Sequence, residues 1–198
     1  MDVCVVRHTR LDIEIDRCYG QSEVALAPSF GVELGELQSS IPQEYAAIYS
    51  SPLQRCQQLA RQFGGPLQIS DKLLEYNFGD WELQRWNDID QAALDRWMQN
   101  FVEVCPPNGE TLLDMYARVS DFIDDLRQSS CPSVLLVTHA GVIRCIWAYL
   151  LAIPLASIFK LKIGYGEPLR FTLAERAEAD VIYTGPANKP GSGESDTG

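Results

Sequence analysis

The chain reads as an α/β protein, a three-layer sandwich with a mainly parallel central sheet. Two short runs carry that reading, residues 3–6 (Val-Cys-Val-Val) and 134–137 (Val-Leu-Leu-Val). Neither alternates with polar residues, which suits strands buried on both faces of a parallel sheet. Amphipathic segments lie between and after them, and such strand–helix alternation covers both faces of a sheet with helices. Size agrees: a chain of 198 residues buries roughly 70% of the surface its unfolded form exposes.

The elements follow in order. Residues 3–6 form the first strand, and 7–28, with mixed polar residues, Gly and Pro, form a long loop. Residues 46–49 are a second strand running into Ser50-Ser51-Pro52, which predicts a helix with Ser as N-cap and Pro in the first turn. Leu53, Cys56, Leu59, Ala60 and Phe63 then recur at helical spacing until Gly64-Gly65-Pro66 stops the helix. Residues 66–70 suit a short strand, and 73–82 a loop around Gly79. Trp86, Ile89, Ala93, Leu94 and Trp97 share a face of a helix over 86–101. Residues 105–109 (Cys-Pro-Pro-Asn-Gly) break the chain, and 111–126 form a second amphipathic helix. Strand 134–137 leads through Thr138-His139-Ala140-Gly141 into an apolar helix ending at Leu151. Residues 158–163, 169–173 and 180–183 are predicted closing strands. The domain is expected to span 1–184, with a helical insertion on the substrate side at about 84–110. Residues 185–198 lack an apolar pattern and are expected to be a disordered tail.

Composition narrows the function classes. Hydrophobic residues are 46% and charged residues 22%, a globular balance. Lys+Arg total 16 against Asp+Glu 27, a net charge of −11, which repels nucleic acid and anionic membranes. No nucleic-acid or membrane partner is expected. The six cysteines, at 4, 18, 56, 105, 131 and 145, contain no C-x-x-C spacing, and free thiols in a reducing compartment are expected. The N-terminal residues lack a signal-peptide pattern. The most apolar window, 142–155, is interrupted by Arg144 and ends near Pro154, too short and broken to span a bilayer. The expected location is the cytoplasm.

Both histidines of the chain, His8 and His139, stand just past the end of a predicted buried strand. Ligands bind at the carboxyl edge of such sheets, so both imidazoles are expected on one functional edge. No G-x-S-x-G supports a serine triad, and no carboxylate cluster suggests a metal site. Arginines accompany the histidines instead: Arg7 directly before His8, Arg144 five residues after His139, and Arg55 in the helix after the Ser50-Ser51-Pro52 turn. Guanidinium forks bind phosphate bidentately and stay charged. Two histidines among arginines describe a phosphate pocket with an imidazole nucleophile.

Four segments, in order, resemble the motifs of the histidine phosphatase superfamily, with its phosphoglycerate-mutase-like fold. They are Val6-Arg7-His8-Thr9, Tyr49-Ser50-Ser51-Pro52-Leu53-Gln54-Arg55-Cys56, Leu74-Glu75-Tyr76-Asn77-Phe78-Gly79-Asp80-Trp81-Glu82 and Val137-Thr138-His139-Ala140-Gly141-Val142-Ile143-Arg144. The resemblance covers roughly 1–175 and implies a metal-independent phosphomonoesterase with no cofactor. It implies His8 as the phosphorylated nucleophile and Arg7, Arg55 and His139 as ligands of the phosphoryl group. Glu75 becomes the proton donor, with Glu82 the rival acid or a plain exposed motif residue. Tyr19, Gly20 and Ala140 are implied in substrate contact, the first two through backbone N–H groups or else forming only a turn. His8 also requires a backbone acceptor on its other ring nitrogen to fix its tautomer. Arg10 and Arg144 are weaker candidates, Arg144 either supporting the site or a surface charge.

The chain also departs from the common pattern. Position 9 is Thr where Arg-His-Gly is usual, and Glu14 stands where many members place a phosphate-binding Asn. A carboxylate is repelled by a phosphate dianion, so Glu14 must turn away. Residues 7–13 and 18–26 are similar to the α-ribazole-5′-phosphate phosphatase branch, which acts on the nucleotide of the cobalamin lower ligand. The expected partner is a small phosphorylated substrate with an apolar or aromatic leaving group. Trp81, Trp86, Trp97 and Tyr19 offer stacking surface, or else core. A broad-specificity or phosphohistidine protein phosphatase, a phosphoglycerate mutase and a noncatalytic phosphate binder remain alternatives. The oligomeric state is open, a dimer included.

Overall fold

The computed structural model describes residues 1–183; the tail expected at 185–198 lies outside them. Six strands form one sheet in the order β3-β2-β4-β1-β5-β6. They are β1 (Asp2–Arg7), β2 (Ala47–Ser50), β3 (Leu67–Ile69), β4 (Ser133–Thr138), β5 (Pro168–Thr172) and β6 (Val181–Tyr183). β3, β2, β4 and β1 run parallel, and β5 and β6 close the edge antiparallel. The sheet is therefore mainly parallel, as expected of central strands without alternation.

Helices α1 (Phe30–Ser40) and α2 (Gln54–Ala60) supply a core on one face, where Leu37, Cys56 and Leu59 meet Val6, Ile48 and Val137. Helices α4 (Leu112–Arg127) and α5 (Ala140–Leu151) supply a larger core on the other, with Met115, Ile123 and Ile143 against Val5, Val134 and Leu136. β1 and β4 thus send alternate side chains into both cores, which makes three layers. Helix α3 (Gln91–Gln99) lies in the segment 84–110, where Ile89 and Leu94 join Cys18 and Trp81 in a separate small cluster. Among the described residues no helix is long and apolar enough to cross a membrane.

Several elements differ from expectation. α1 was not anticipated; it buries only Glu33 and Leu37, too few positions to leave a helical stripe. α2 begins at Gln54 with Leu53, not a serine, at its N-cap; Ser50 Oγ donates to Ser51 O, while Ser51 Oγ meets His139 and accepts from the Leu53 N–H at 3.4 Å. It ends at Ala60, before the glycines. The segment 86–101 is broken: a 3-10 turn at Trp86–Asp88 precedes α3, which starts where Asp90 accepts a hydrogen bond from the Ala93 N–H at 2.9 Å. The strand expected at 158–163 is absent. A 3-10 segment, Leu155–Lys160, stands there, and β5 already occupies the free edge of β1.

Candidate active site

The register of the central strands builds the site. β1 and β4 pair with Arg7 opposite Thr138, and the ladder continues as the His8 N–H donates to Thr138 O at 2.9 Å. The next residue on each strand is a histidine. Both imidazoles leave the same carboxyl edge, their centroids 5.2 Å apart. Both are buried.

His8 Nδ1 lies 2.8 Å from Thr9 O. A carbonyl only accepts, so Nδ1 carries the hydrogen and Nε2 keeps its lone pair. Burial, then the Arg55 charge, push His8 down to about 3 against a hydrogen bond to Thr9 that raises it. His139 is also held well below the ordinary histidine value, by burial first and then by His8 and the arginines. Its Nε2 is 2.8 Å from Ser51 Oγ, with the Cys56 thiol alongside. Two neutral imidazoles thus face each other at neutral pH.

Arg55 is fully buried, and its guanidinium donates to Ser22 O at 2.7 Å and to Gly20 O. Arg7 donates through Nη1 to Ile163 O at 2.9 Å. Nε of each arginine, and Thr9 Oγ1, are buried without a hydrogen-bond partner among the described residues. Orphaned buried donors are rare in folded proteins, and cationic ones beside imidazoles suit an anion such as a phosphoryl group.

Glu75 is brought to the same edge. Its carboxylate accepts from the Gly141 N–H at 3.1 and 3.2 Å, and Oε1 also accepts from its neighbour Tyr76 at 3.0 Å. Gly141 lies in the first turn of α5, whose N–H groups lack helical partners and are free to hold the Glu75 side chain. Arg118 of α4, which sequence reasoning missed, donates to the carbonyls of Lys72, Leu74 and Glu75 at 3.0, 2.7 and 3.2 Å. Glu110 holds Arg118 at 2.8 Å. No local pattern marks Arg118, because the carbonyls it holds lie 43 to 46 residues away.

Glu82 does different work. Its carboxylate accepts from the backbone N–H groups of Gly20, Gln21, Ser22 and Phe78 at 2.8 to 3.2 Å. Burial raises its pKa, but the bonds to Gln21, Gly20 and Ser22 outweigh it and the net shift is downward. Glu82 is neither an exposed residue nor an acid poised to donate; it clamps the loop that holds Arg55. The Gly20 N–H, expected to face substrate, is spent on this clamp. A Cβ at Gly20 would also overlap Tyr76 O.

Tyr19 shares a hydrogen bond of 2.8 Å with Tyr165, a residue the motifs do not include. Ala140 directly follows His139 as the first residue of α5 and is buried. Glu14 does turn away: it pairs with Arg17 and Arg85, both at 2.9 Å. Arg10 is mostly exposed and pairs with Glu33. Arg144 supports it: half-buried, it donates to Leu161 O at 3.0 Å and borders a pocket shared with Glu75.

That pocket encloses about 450 Å³, open solvent included. Tyr76, Phe78, Trp97, Phe101 and Phe159 give it an aromatic wall. Of the expected stacking residues only Trp97 lines it. Trp81 is core, Trp86 packs on Phe78, and Tyr19 lies nearer Arg55. Among the described residues no group of His, Cys, Asp and Glu is arranged to hold a metal ion.

Paired imidazoles, two arginines with buried Nε atoms and a nearby carboxylate lie together on this edge, an arrangement suited to holding a phosphoryl group. The family model of the histidine phosphatase superfamily (branch 1) matches residues 3–180, and the chain belongs to that family. Within it, the chain is 26% identical over 176 residues to the adenosylcobalamin/alpha-ribazole phosphatase of Escherichia coli, covering 84% of this chain and 87% of that protein. It is 33% identical over 105 residues to the Salmonella typhimurium protein of the same name, a match covering 51% of this chain and spanning about half (52%) of that relative. The crystal structure of the alpha-ribazole phosphatase from Shigella flexneri superimposes with a TM-score of 0.84 at 23% identity, covering 92% of this chain and 95% of that one. That last likeness is one of fold.

Proposed function

We propose that the chain is a phosphomonoesterase that works through a phosphohistidine at His8, with α-ribazole 5′-phosphate as its substrate. The observation that carries this reading is the pairing of His8, neutral and with Nε2 free of its proton, with the buried Arg55 and the half-buried Arg7, whose Nε atoms are both buried and unpartnered among the described residues.

The chemistry follows in two steps. His8 Nε2 attacks phosphorus in line with the ester oxygen; an N–P bond forms and the P–O bond to the leaving group breaks. Arg7, Arg55 and His139 meet the charge spread over the phosphoryl oxygens. Glu75 gives its proton to the departing alkoxide. A water then attacks the phosphohistidine, its proton passes to the Glu75 carboxylate, and phosphate leaves with His8 restored. Acid–base assistance of this kind contributes about 10² to 10⁴ in rate.

The aromatic pocket beside Glu75 supports the substrate assignment. A leaving group protonated by Glu75 enters a wall of Tyr76, Phe78, Trp97, Phe101 and Phe159, which stacks a planar ring. A bisphosphate would find little counter-charge there beyond Arg144. The names of the Escherichia coli and Salmonella typhimurium relatives point the same way.

Phosphate release is measured with EDTA present on α-ribazole 5′-phosphate, 3-phosphoglycerate, a sugar phosphate, p-nitrophenyl phosphate and a phosphohistidine peptide. The expected outcome is turnover abolished by His8→Ala, with kcat/KM for α-ribazole phosphate at least about 10²-fold above the others. Equal rates across the panel would remove the substrate assignment and keep the phosphatase. No turnover of any ester would remove both.

A further inference from the structure

Tyr165 belongs to none of the four motifs, yet it touches both Arg7 and His8 and shares a hydrogen bond with Tyr19. Its ring lies under the Arg7 guanidinium, 3.6 Å from carbon to ring centroid. The same ring stands 5.7 Å from the His8 imidazole, tilted by 56°. Its hydroxyl is 2.8 Å from that of Tyr19, the residue before Gly20, whose carbonyl accepts from Arg55. The loop around Tyr165 holds Arg7 at two further points. Ile163 O accepts from Arg7 Nη1 at 2.9 Å, and the Gly166 N–H donates to Arg7 O at 3.1 Å.

A ring stacked on a guanidinium restrains its plane and shields one face from water, but takes none of its in-plane N–H groups. The Arg7 Nε, buried and unpartnered, therefore stays available to an anion. Carbonyl capture at Nη1 alone leaves the guanidinium free to rotate about that bond; the aromatic face removes this freedom. Phosphoryl transfer rests on donors held in advance where charge develops.

We propose that Tyr165 is a positioning residue: its ring, rather than its hydroxyl, sets the plane of the Arg7 guanidinium at the phosphoryl site. This inference rests on the reading of Arg7 as a phosphoryl ligand. It adds a residue from the far end of the chain to a site otherwise built from the motifs.

The test separates ring from hydroxyl and binding from turnover. Orthovanadate, whose five-coordinate form mimics a transferring phosphoryl group, is titrated calorimetrically into wild type, Tyr165→Phe, Tyr165→Leu and Tyr165→Met. Melting temperatures identify the ring-free variants that fold, and either suffices. The expected result is vanadate affinity within about threefold of wild type for Tyr165→Phe and about tenfold weaker without the ring, the scale of a desolvated cation–π contact. In turnover, kcat falls with the ring-free variants while the preference among leaving groups is unchanged. Vanadate affinity of wild-type strength without the ring would overturn the inference, as would a Phe variant as weak as Leu. If wild type binds vanadate but hydrolyses no ester, the proposed function fails while the binding series still decides the role of Tyr165. If wild type binds no vanadate, both fail.

Discussion

Gly141 shows how little room the site leaves. Its N–H holds the Glu75 carboxylate, and a Cβ there would overlap that same carboxylate. Gly141→Ala is expected to displace Glu75 and lower kcat about 10²-fold, the size of a lost acid–base contribution, with orthovanadate affinity kept because Arg7, Arg55 and His8 are untouched. Steady-state kinetics beside vanadate titration checks this; wild-type kcat would mean that Glu75 is not the acid. At this scale the sequence was informative wherever chemistry clusters in short motifs. His8, Arg55, Glu75 and His139 were all legible, and the structure brings them to one edge. Tyr165 and Arg118 were not, since each acts through contacts with distant segments and has no neighbours that mark it.

Among the elements, α4 links stability to the site. Thr111 caps it: Oγ1 accepts from the Asp114 N–H at 3.0 Å, and Asp114 accepts from the Thr111 N–H at 3.1 Å. Asp114 is accordingly held below the usual carboxylate value by its bonds to Thr111. Thr111→Ala is expected to cost about 1 kcal/mol, seen as a lower urea midpoint with an unchanged slope. A midpoint equal to wild type would show the cap to be without effect. The amphipathic stripe of α4 made this helix readable from sequence, whereas α1 has glycines at 31 and 35 and buries only Glu33 and Leu37. Helices seated by so few side chains leave no period to detect. Residues 158–163 misled for the opposite reason: they are apolar enough for a strand, but the neighbouring sheet edge is filled by β5.

For the molecule as a whole, the two histidines set a pH dependence. Their ordinary value is 6.5; in the fold His8 falls to about 3 and His139 lies well below 6.5. Below pH 6.5 the unfolded chain takes up protons that the folded chain refuses, so stability is full above 6.5 and declines as pH falls toward the folded values. Each histidine contributes at most about 1.4 kcal/mol per pH unit within that window. Urea midpoints between pH 7 and 5, where carboxylates remain mostly ionised, should fall, and His139→Asn should flatten the decline. A midpoint constant over that range would mean that the imidazoles are not kept neutral by the fold. The parallel centre of the sheet was legible from two apolar runs. Its strand order was not, because pairing partners are chosen by packing over the whole chain rather than by local pattern.

That order governs how the protein can assemble. β1 is the first strand to be made, yet its ladder partners are β4, in register from Asp2 with Ser133, and β5, with Asp2 opposite Thr172. A ribosome has therefore passed residue 133 before β1 finds its first neighbour. Closing so long a loop is entropically costly and slow. Arg7 and His8 are carried on that late-docking strand. The His8 imidazole is thus sheltered only once the sheet closes, and under the proposed function phosphoryl binding would report that folding has finished.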